Sequence, residues 1–424
     1  MSVQFLIVVV TTAALVLIVR AALGASVARR ALPVLLLAYG ARLLVHVLVL
    51  RGSLIHYGGD NFWYEMKAVE VAAYWRNEGF QFVTAEQIPS LSFAAVPCNL
   101  FAIVVYLCGG PAPFACTGVV ALIACLLCIV MYRFALIVGA DERAAFLLLV
   151  VTAFMPAFLL HTSDTFKDGL NVLLVVSCLA LAASNAQRFD VRRLLALGPL
   201  LWALWYVRPY MVAMCAVPLV LSSAVVRRSP LPRPLHIALI VSVLAALFVM
   251  SADGGPVEIM QGQLEYGQSE FARRANADGG SGVIFDDGGN AWNAIAPKLL
   301  YTLLAPFPWM GGSVVLQLGK VDMLVWYFIL YSAFRGGRRL WRDDRAMLVI
   351  LLLFIVPGLI TYATTMANVG LIFRQRMPIV MVTSLLAAVA WSRTRPGRQR
   401  NGKDIATQES PDGIGGFASS NLRA

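Results

Sequence analysis

Residues 115–138 read ACTGVVALIACLLCIVMYRFALIV, a run with no charge apart from Arg133. As a helix it would be about 36 Å long at about 1.5 Å per residue, enough to cross a hydrocarbon layer about 30 Å thick. Such a run suits lipid, where every backbone N–H and C=O must find its partner inside the segment. The rest of the chain agrees. Of 424 residues 59% are hydrophobic and only 13% charged, with a mean hydropathy of +0.76, more apolar surface than a water-soluble fold of this size can hide. The sequence therefore predicts an all-α, polytopic integral membrane protein. The seven cysteines, among them Cys116, Cys125, Cys128, Cys178 and Cys215, fall mostly singly in apolar runs. They show neither a disulfide framework nor zinc-ligand spacing and read as small core residues.

Working outward, eleven spans are expected: Val3–Leu23, Ala31–Leu50, Ala115–Val138, Ala144–His161, Lys167–Asn185, Leu194–Tyr206, Pro209–Val226, Leu235–Ser251, Ser313–Phe334, Ala346–Thr365 and Ile372–Trp391. Leu91–Cys108 and Ala294–Trp309 are apolar too, but Pro97, Pro297, Pro306 and Pro308 mark them as interfacial or re-entrant. No internal repeat and no helix broken at mid-membrane depth is expected.

Charge orients the spans, because Lys and Arg collect on the cytoplasmic side. Arg29 and Arg30, Arg143, Arg188 with Arg192 and Arg193, Arg227 with Arg228 and Arg233, the group Arg335 to Arg345, and the tail from Arg393 to Lys403 then share one side. The loop Arg51–Ser90 has five acidic residues against three basic, and Ser251–Trp292 seven against two; both fall opposite. This parity holds only if Leu91–Cys108 lies along the surface, and it puts the N-terminus outside and the C-terminus in the cytoplasm. Residues 1–391 thus form a transmembrane domain with outer loops 51–114 and 251–312, followed by a disordered basic tail at 392–424. The first span lacks a basic leader and a clear cleavage site, so it reads as an anchor. The net charge of +11 sits in these orienting clusters and implies no nucleic-acid partner.

The candidate chemistry lies on the outer side. Asp60, just after the second span in Gly58-Gly59-Asp60-Asn61-Phe62-Trp63-Tyr64, could take a proton from an acceptor hydroxyl at headgroup depth; helix capping is the alternative. In His161-Thr162-Ser163-Asp164-Thr165-Phe166-Lys167-Asp168, helical spacing would put Asp164, Lys167 and Asp168 on one face, with the carboxylates flanking the lysine. Such a trio suits a phosphate, a sugar or a divalent cation, unless it is a capped helix start with a local ion pair. Trp205-Tyr206-Val207-Arg208-Pro209-Tyr210 fixes an arginine fork between aromatics, suited to phosphate or to snorkelling. Lys298, Arg374 and Arg376 lie at the same boundary against the positive-inside trend, and an anionic lipid phosphate would give that a local reason. The loop through Asp286-Asp287-Gly288-Gly289-Asn290-Ala291-Trp292 to Ala305-Pro306-Phe307-Pro308-Trp309 is a candidate lid or a plain connector. Lys320 and Asp322, at i and i+2, do not face each other.

Asp60 with a nearby tyrosine, a proline-bearing interfacial segment ending in Gly109-Gly110, and a helix closing with Tyr132-Arg133 and Gly139 resemble the GT-C superfamily of lipid-phosphate-sugar-dependent glycosyltransferases. Met155-Pro156, Ser163, Lys167-Asp168, Arg208-Pro209-Tyr210, Gly279-Gly280-Ser281, Ala305-Pro306-Phe307-Pro308-Trp309 and Arg374-Gln375-Arg376-Met377-Pro378 are similar to bacterial polysaccharide-assembly transferases and repeat-unit polymerases. The resemblance implies a GT-C-like fold in a bacterial inner membrane and transfer of a sugar from a polyprenyl phosphate or diphosphate to a glycan or lipid acceptor at the outer face. It implies Asp60 as base, Lys167 and Arg208 on the donor phosphate, and Arg374 and Arg376 on the leaving phosphate. Here Asp60 is followed by Asn61 rather than a second acid, and the tail is short, unlike the usual pattern of that superfamily. A transporter or flippase of a lipid-linked sugar is the expectation from another class.

Overall fold

The computed structural model describes residues 2–52, 59–224, isolated positions between 234 and 245, 256–277, 285, 287–311, 314–365 and 369–393. Among these residues all extended secondary structure is helical and no strand occurs. The expected span Leu235–Ser251 apart from isolated helical positions up to 245, the group Arg227, Arg228 and Arg233, the Gly279-Gly280-Ser281 motif, Asp286 and the tail from 394 onward lie outside the described residues.

The helices are α1 (Ser2–Ala22), α2 (Ala25–Val45), α3 (Asp60–Glu78), α4 (Ala95–Cys108), α5 (Pro113–Val138), α6 (Glu142–Phe154), α7 (Pro156–Leu160), α8 (Asp168–Gln187), α9 (Val191–Trp205), α10 (Pro209–Ala224), α11 (Pro256–Gln268), α12 (Glu270–Ala277), α13 (Ile295–Leu304), α14 (Val314–Asp343), α15 (Arg345–Thr365), α16 (Val369–Gln375) and α17 (Met377–Trp391). Five stretches are long and apolar enough to cross a membrane: Val3–Ala22, Ala25–Leu50, Pro113–Val138, Asp168–Gln187 and Arg345–Thr365. Local chemistry sets several ends. The Asp141 carboxylate accepts from Ala144 N at 2.8 Å and Asp190 from Arg192 N at 2.9 Å, capping α6 and α9. Gly109 and Gly139, at φ 76° and 105°, close α4 and α5 in the left-handed conformation that glycine adopts without strain.

The main core joins α1, α2, α5, α6, α8 to α10, α14, α15 and α17 around side chains such as Leu35, Leu127, Phe134, Phe158, Trp326 and Phe354. The outer faces of α1 and α2 expose Phe5, Leu6, Val9, Leu17, Leu37 and Leu44, which lipid solvates at no cost. A smaller core around Trp75, Leu91, Phe101 and Cys116 packs α3 and α4 onto the start of α5. The segment expected along the surface thus becomes α4, 14 residues and about 21 Å long, too short for the hydrocarbon layer and laid beside α3. Together α3 and α4 cover one end of the bundle. At that end Asp60 meets Arg374 and Arg51 meets Asp164. At the other, Arg30 meets Glu142, Asp141 N donates to Ser392 Oγ at 2.9 Å, and Arg339 donates to the Ser392 carbonyl at 2.9 Å.

The structure corrects the expectation of unbroken helices. Ala144–His161, expected as one span, divides at Met155 into α6 and α7, because Pro156 has no N–H to give and its ring crowds the preceding turn. In a continuous helix Ala157 N–H would bond Ala153 C=O. Here Arg42 Nη2 donates to the Ala153 carbonyl at 3.2 Å, and Asp322 Oδ1 accepts from Ala157 N at 2.9 Å. Two charged side chains, from α2 and α14, satisfy the two groups the break exposes. The expected span Ile372–Trp391 likewise starts as α16 and turns at Arg376 into α17. On the far side of the bundle α14 and α17 touch backbone to backbone: a Cβ at Gly336 would lie 1.8 Å from the Leu386 carbonyl oxygen, so only glycine fits there.

Candidate functional site

Asp168 opens α8 and is buried at the end covered by α3 and α4. Its Oδ1 accepts from Arg208 Nη2 at 2.7 Å and its Oδ2 from Arg374 Nε at 3.0 Å. Arg374 also reaches Asp60, whose side chain is half exposed. Arg208 Nη1 donates to the Tyr210 hydroxyl at 3.1 Å. Residues far apart in the chain, 60, 168, 208 and 374, therefore form one continuous ion network. Each is delivered by a break in regular structure: Asp60 by the start of α3, Asp168 by the start of α8, Arg208 by the joint between α9 and α10, and Arg374 by the last turn of α16.

Lys167 borders this network. Its Nζ donates to the carbonyls of Phe93 at 2.8 Å and Val207 at 3.1 Å and lies 6.0 Å from the Tyr64 ring centroid. Burial, then the neighbouring Arg208 guanidinium, pulls the lysine down to about 7. Lys167, Arg208 and Arg374 are three cations facing the two carboxylates of Asp60 and Asp168, so the network favours an added anion whenever Lys167 is protonated.

Asp164 does not share a helical face with Asp168. Residues 161–167 form a turn and α8 begins only at 168, so the two carboxylates point to different partners and do not flank Lys167. Asp164 accepts from Arg51 Nη2 at 3.1 Å and Asn61 Nδ2 at 2.9 Å, with His46 Nδ1 at 3.5 Å. Burial alone would raise its pKa, but the hydrogen bond from His46 and the charge of Arg51 hold it at about 2. Arg51 also binds Glu65 at 2.9 Å and lies 4.6 Å from the Phe62 ring centroid. This second node anchors the start of α3 to the 161–168 turn: Thr165 Oγ1 donates to the Asn61 carbonyl at 2.8 Å. Neither Asp60 nor Asp164 occupies a helix N-cap position; those positions fall at Gly59 and Lys167, and Asp164 Oδ1 accepts instead from Thr165 N at 2.8 Å within the turn.

Lys298 and Arg376 stand apart. Buried Lys298 donates to Asp287 at 2.6 Å and to the Ala291 carbonyl at 2.8 Å, and Arg273 also grips Asp287. Against the upward push of burial, the Lys298 and Arg273 hydrogen bonds keep Asp287 below the usual carboxylate range. Arg376, two residues from Arg374, turns the other way and donates to the carbonyls of Thr302 at 3.3 Å and Ala305 at 3.1 Å. These cations hold the 287–305 segment in place. Among the described residues no group of three or more His, Cys, Asp or Glu side chains converges as a metal site.

Beside the ion network lies a mainly apolar cavity of about 600 Å³, lined by Phe93, Tyr210, Tyr266, Tyr362, Gln263 and Gln375 among others. Three of these belong to the network's edge: Tyr210 accepts from Arg208, Phe93 accepts from Lys167, and Gln375 follows Arg374. Helix α11 walls the cavity against α15, where Gln268 Nε2 donates to Thr364 Oγ1 at 3.0 Å.

Comparison with protein-family models, curated proteins and solved structures finds no match for this chain. Sequence reading overlooked Arg42, which lies inside the expected span Ala31–Leu50, and Arg51, which passes for its boundary; a guanidinium inside an apolar run was the available signal for Arg42.

Proposed function

We propose that the protein is a membrane glycosyltransferase of cell-envelope or exopolysaccharide synthesis, with a GT-C-like architecture of eleven spans in a bacterial inner membrane, N-terminus outside and C-terminus cytoplasmic. The donor is a sugar carried on a polyprenyl phosphate or diphosphate, and the acceptor a glycan or lipid. The observation that carries this reading is the joining of a cation cluster to an apolar cavity through Tyr210, Phe93 and Gln375, which suits an amphiphile with an anionic head and a hydrocarbon tail. Arg208, Arg374 and Lys167 hold the phosphate, and the first prenyl units lie in the cavity. The acceptor oxygen attacks the anomeric carbon as the bond to the phosphate oxygen breaks. The acceptor proton passes to Asp60, and the electron pair leaves on the phosphate, where fixed cations stabilise it most in a water-poor site. A single displacement inverts the anomeric centre.

The test is release of polyprenyl phosphate by the purified full-length protein supplied with a lipid-linked sugar and an acceptor. Asp60→Asn should remove nearly all turnover while leaving donor binding intact. Full turnover by that variant would favour the related reading of a repeat-unit polymerase, which the two arginines on Asp168 also suit and which needs no acidic base. A transporter or flippase gains support from the helix broken at Met155 and its buried charges Arg42 and Asp322, since discontinuous helices often build translocation sites. Movement of labelled lipid across liposomes without release of polyprenyl phosphate would select it.

A further inference from the structure

Helix α14 has 30 residues and is about 45 Å long at about 1.5 Å per residue, against about 30 Å of hydrocarbon. One face packs inward through Trp326, Ile329, Ala333 and Leu340, with Gly336 against α17. The opposite face carries Val321, Leu324, Phe328 and Tyr331, all exposed, at the three- and four-residue spacing of a single helical stripe. That stripe continues in the same register as Arg335, Arg338 and Arg342, exposed as well. The apolar part of the stripe, Val321 to Tyr331, covers about 15 Å of helix before the arginines begin.

Among the described residues no carboxylate lies within salt-bridge distance of Arg335, Arg338 or Arg342; the acid nearest in sequence, Asp343, pairs with Arg339 at 3.8 Å. The guanidinium of Arg338 lies 4.5 Å from the Phe334 ring centroid and that of Arg335 5.8 Å from Tyr331. Arg345, opening α15, lies 5.2 Å from Trp341. Exposed aromatics beside arginines with no carboxylate partner among the described residues match the chemistry of a bilayer interface. This end of the bundle is the one opposite the ion network, so the patch is separate from the proposed active site and does not depend on that reading.

We propose that this face of α14, with Arg335, Arg338 and Arg342 at its centre, is a docking surface for acidic phospholipid headgroups of the leaflet opposite the site. The lipid chains lie along the Leu324–Phe328–Tyr331 stripe, and the phosphates meet the arginine forks, whose planar geometry suits them.

The experiment is native mass spectrometry of the full-length protein in detergent, titrated with dioctanoyl phosphatidylglycerol or dioctanoyl phosphatidylcholine. The wild type should bind the acidic lipid in preference. At about fivefold per arginine near an anionic surface, R335Q/R338Q/R342Q should weaken that binding by about a hundredfold and leave phosphatidylcholine unchanged. The single variant R338Q should lose about fivefold, which keeps the test open if the triple variant misfolds. R335K/R338K/R342K should keep most of the preference. R29Q/R30Q, elsewhere at the same end, should keep all of it. A wild type indifferent to headgroup charge, a glutamine variant that retains the preference, or an equal loss in R29Q/R30Q would overturn the proposal.

Discussion

Replacing Asp168 by Asn removes the one carboxylate shared by Arg208 and Arg374 while keeping the volume of the side chain. The two arginines do not suffer equally. Arg374 retains Asp60, whereas Arg208, 9% exposed, is left with neutral partners such as the Tyr210 hydroxyl. Stranding a buried charge costs about 3–5 kcal/mol, a large share of a total native stability of about 5–15 kcal/mol. Asp168→Asn should therefore lower the unfolding midpoint strongly in detergent, read by thermal or denaturant titration of the full-length protein. Arg208→Gln in the same background removes the stranded charge, so the double variant should be more stable than the sum of the single losses by about 0.5–3 kcal/mol. If Asp168→Asn unfolds within about 0.5 kcal/mol of the wild type, the size usual for an inconsequential surface change, the shared-counterion account fails. Strict additivity of the two substitutions would sink it as well.

Lys167 titrates near pH 7 instead of its ordinary 10.5, so its charge, and with it affinity for an anionic headgroup, should fall as pH rises through 7; isothermal titration with a polyprenyl phosphate from pH 6 to 9 should show this, and Lys167→Arg should flatten the profile. The same shift means that between about 7 and 10.5 the unfolded chain binds more protons than the folded one, so this residue's contribution to stability should rise with pH across that window, measurable as the difference between wild type and Lys167→Arg. Asp164, held at about 2, stabilises fully above its unfolded value of 3.8 and should lose that contribution as pH falls from 3.8 towards 2, a loss that Asp164→Asn should not show in acid titration. Gly336→Ala sets a Cβ 1.8 Å from the Leu386 carbonyl oxygen; forcing α14 and α17 apart should cost about 1–3 kcal/mol, the usual cost of overpacking, in the same unfolding assay.

The fold class was legible because lipid leaves a coarse mark: runs such as 115–138 have one reading. Within the stretch Leu91–Cys108 only Ala95–Cys108 is α-helical, 14 residues packed on α3, a short element that the proline near its start made readable. The partners within the site were less so. Helical spacing grouped Asp164 with Asp168 across residues 161–167, but those residues form a turn, and a turn follows no fixed period. Arg374 and Arg376 looked like a pair, yet at two residues apart they lie on different sides of the chain, one on Asp168 and the other on the Thr302 and Ala305 carbonyls. Arg42 and Asp322 could be noticed as charges in apolar runs, but their meeting with the exposed groups around Pro156 depends on which helices become neighbours, which no local pattern states.

That meeting has a mechanical consequence. A helix ordinarily transmits position along its own axis, each turn fixed by the one before. At Met155 this transmission stops, and the carbonyl and amide on either side are held by α2 and α14 instead. The residues from 161 to 168, which Arg42 also reaches through Thr162 at 2.8 Å, are therefore tied to α2 and α14 as well as to the site partners described above, and not to α6 alone. A tilt of α2 or α14 would thus reach the turn through Arg42 and Asp322 by a route that bypasses α6.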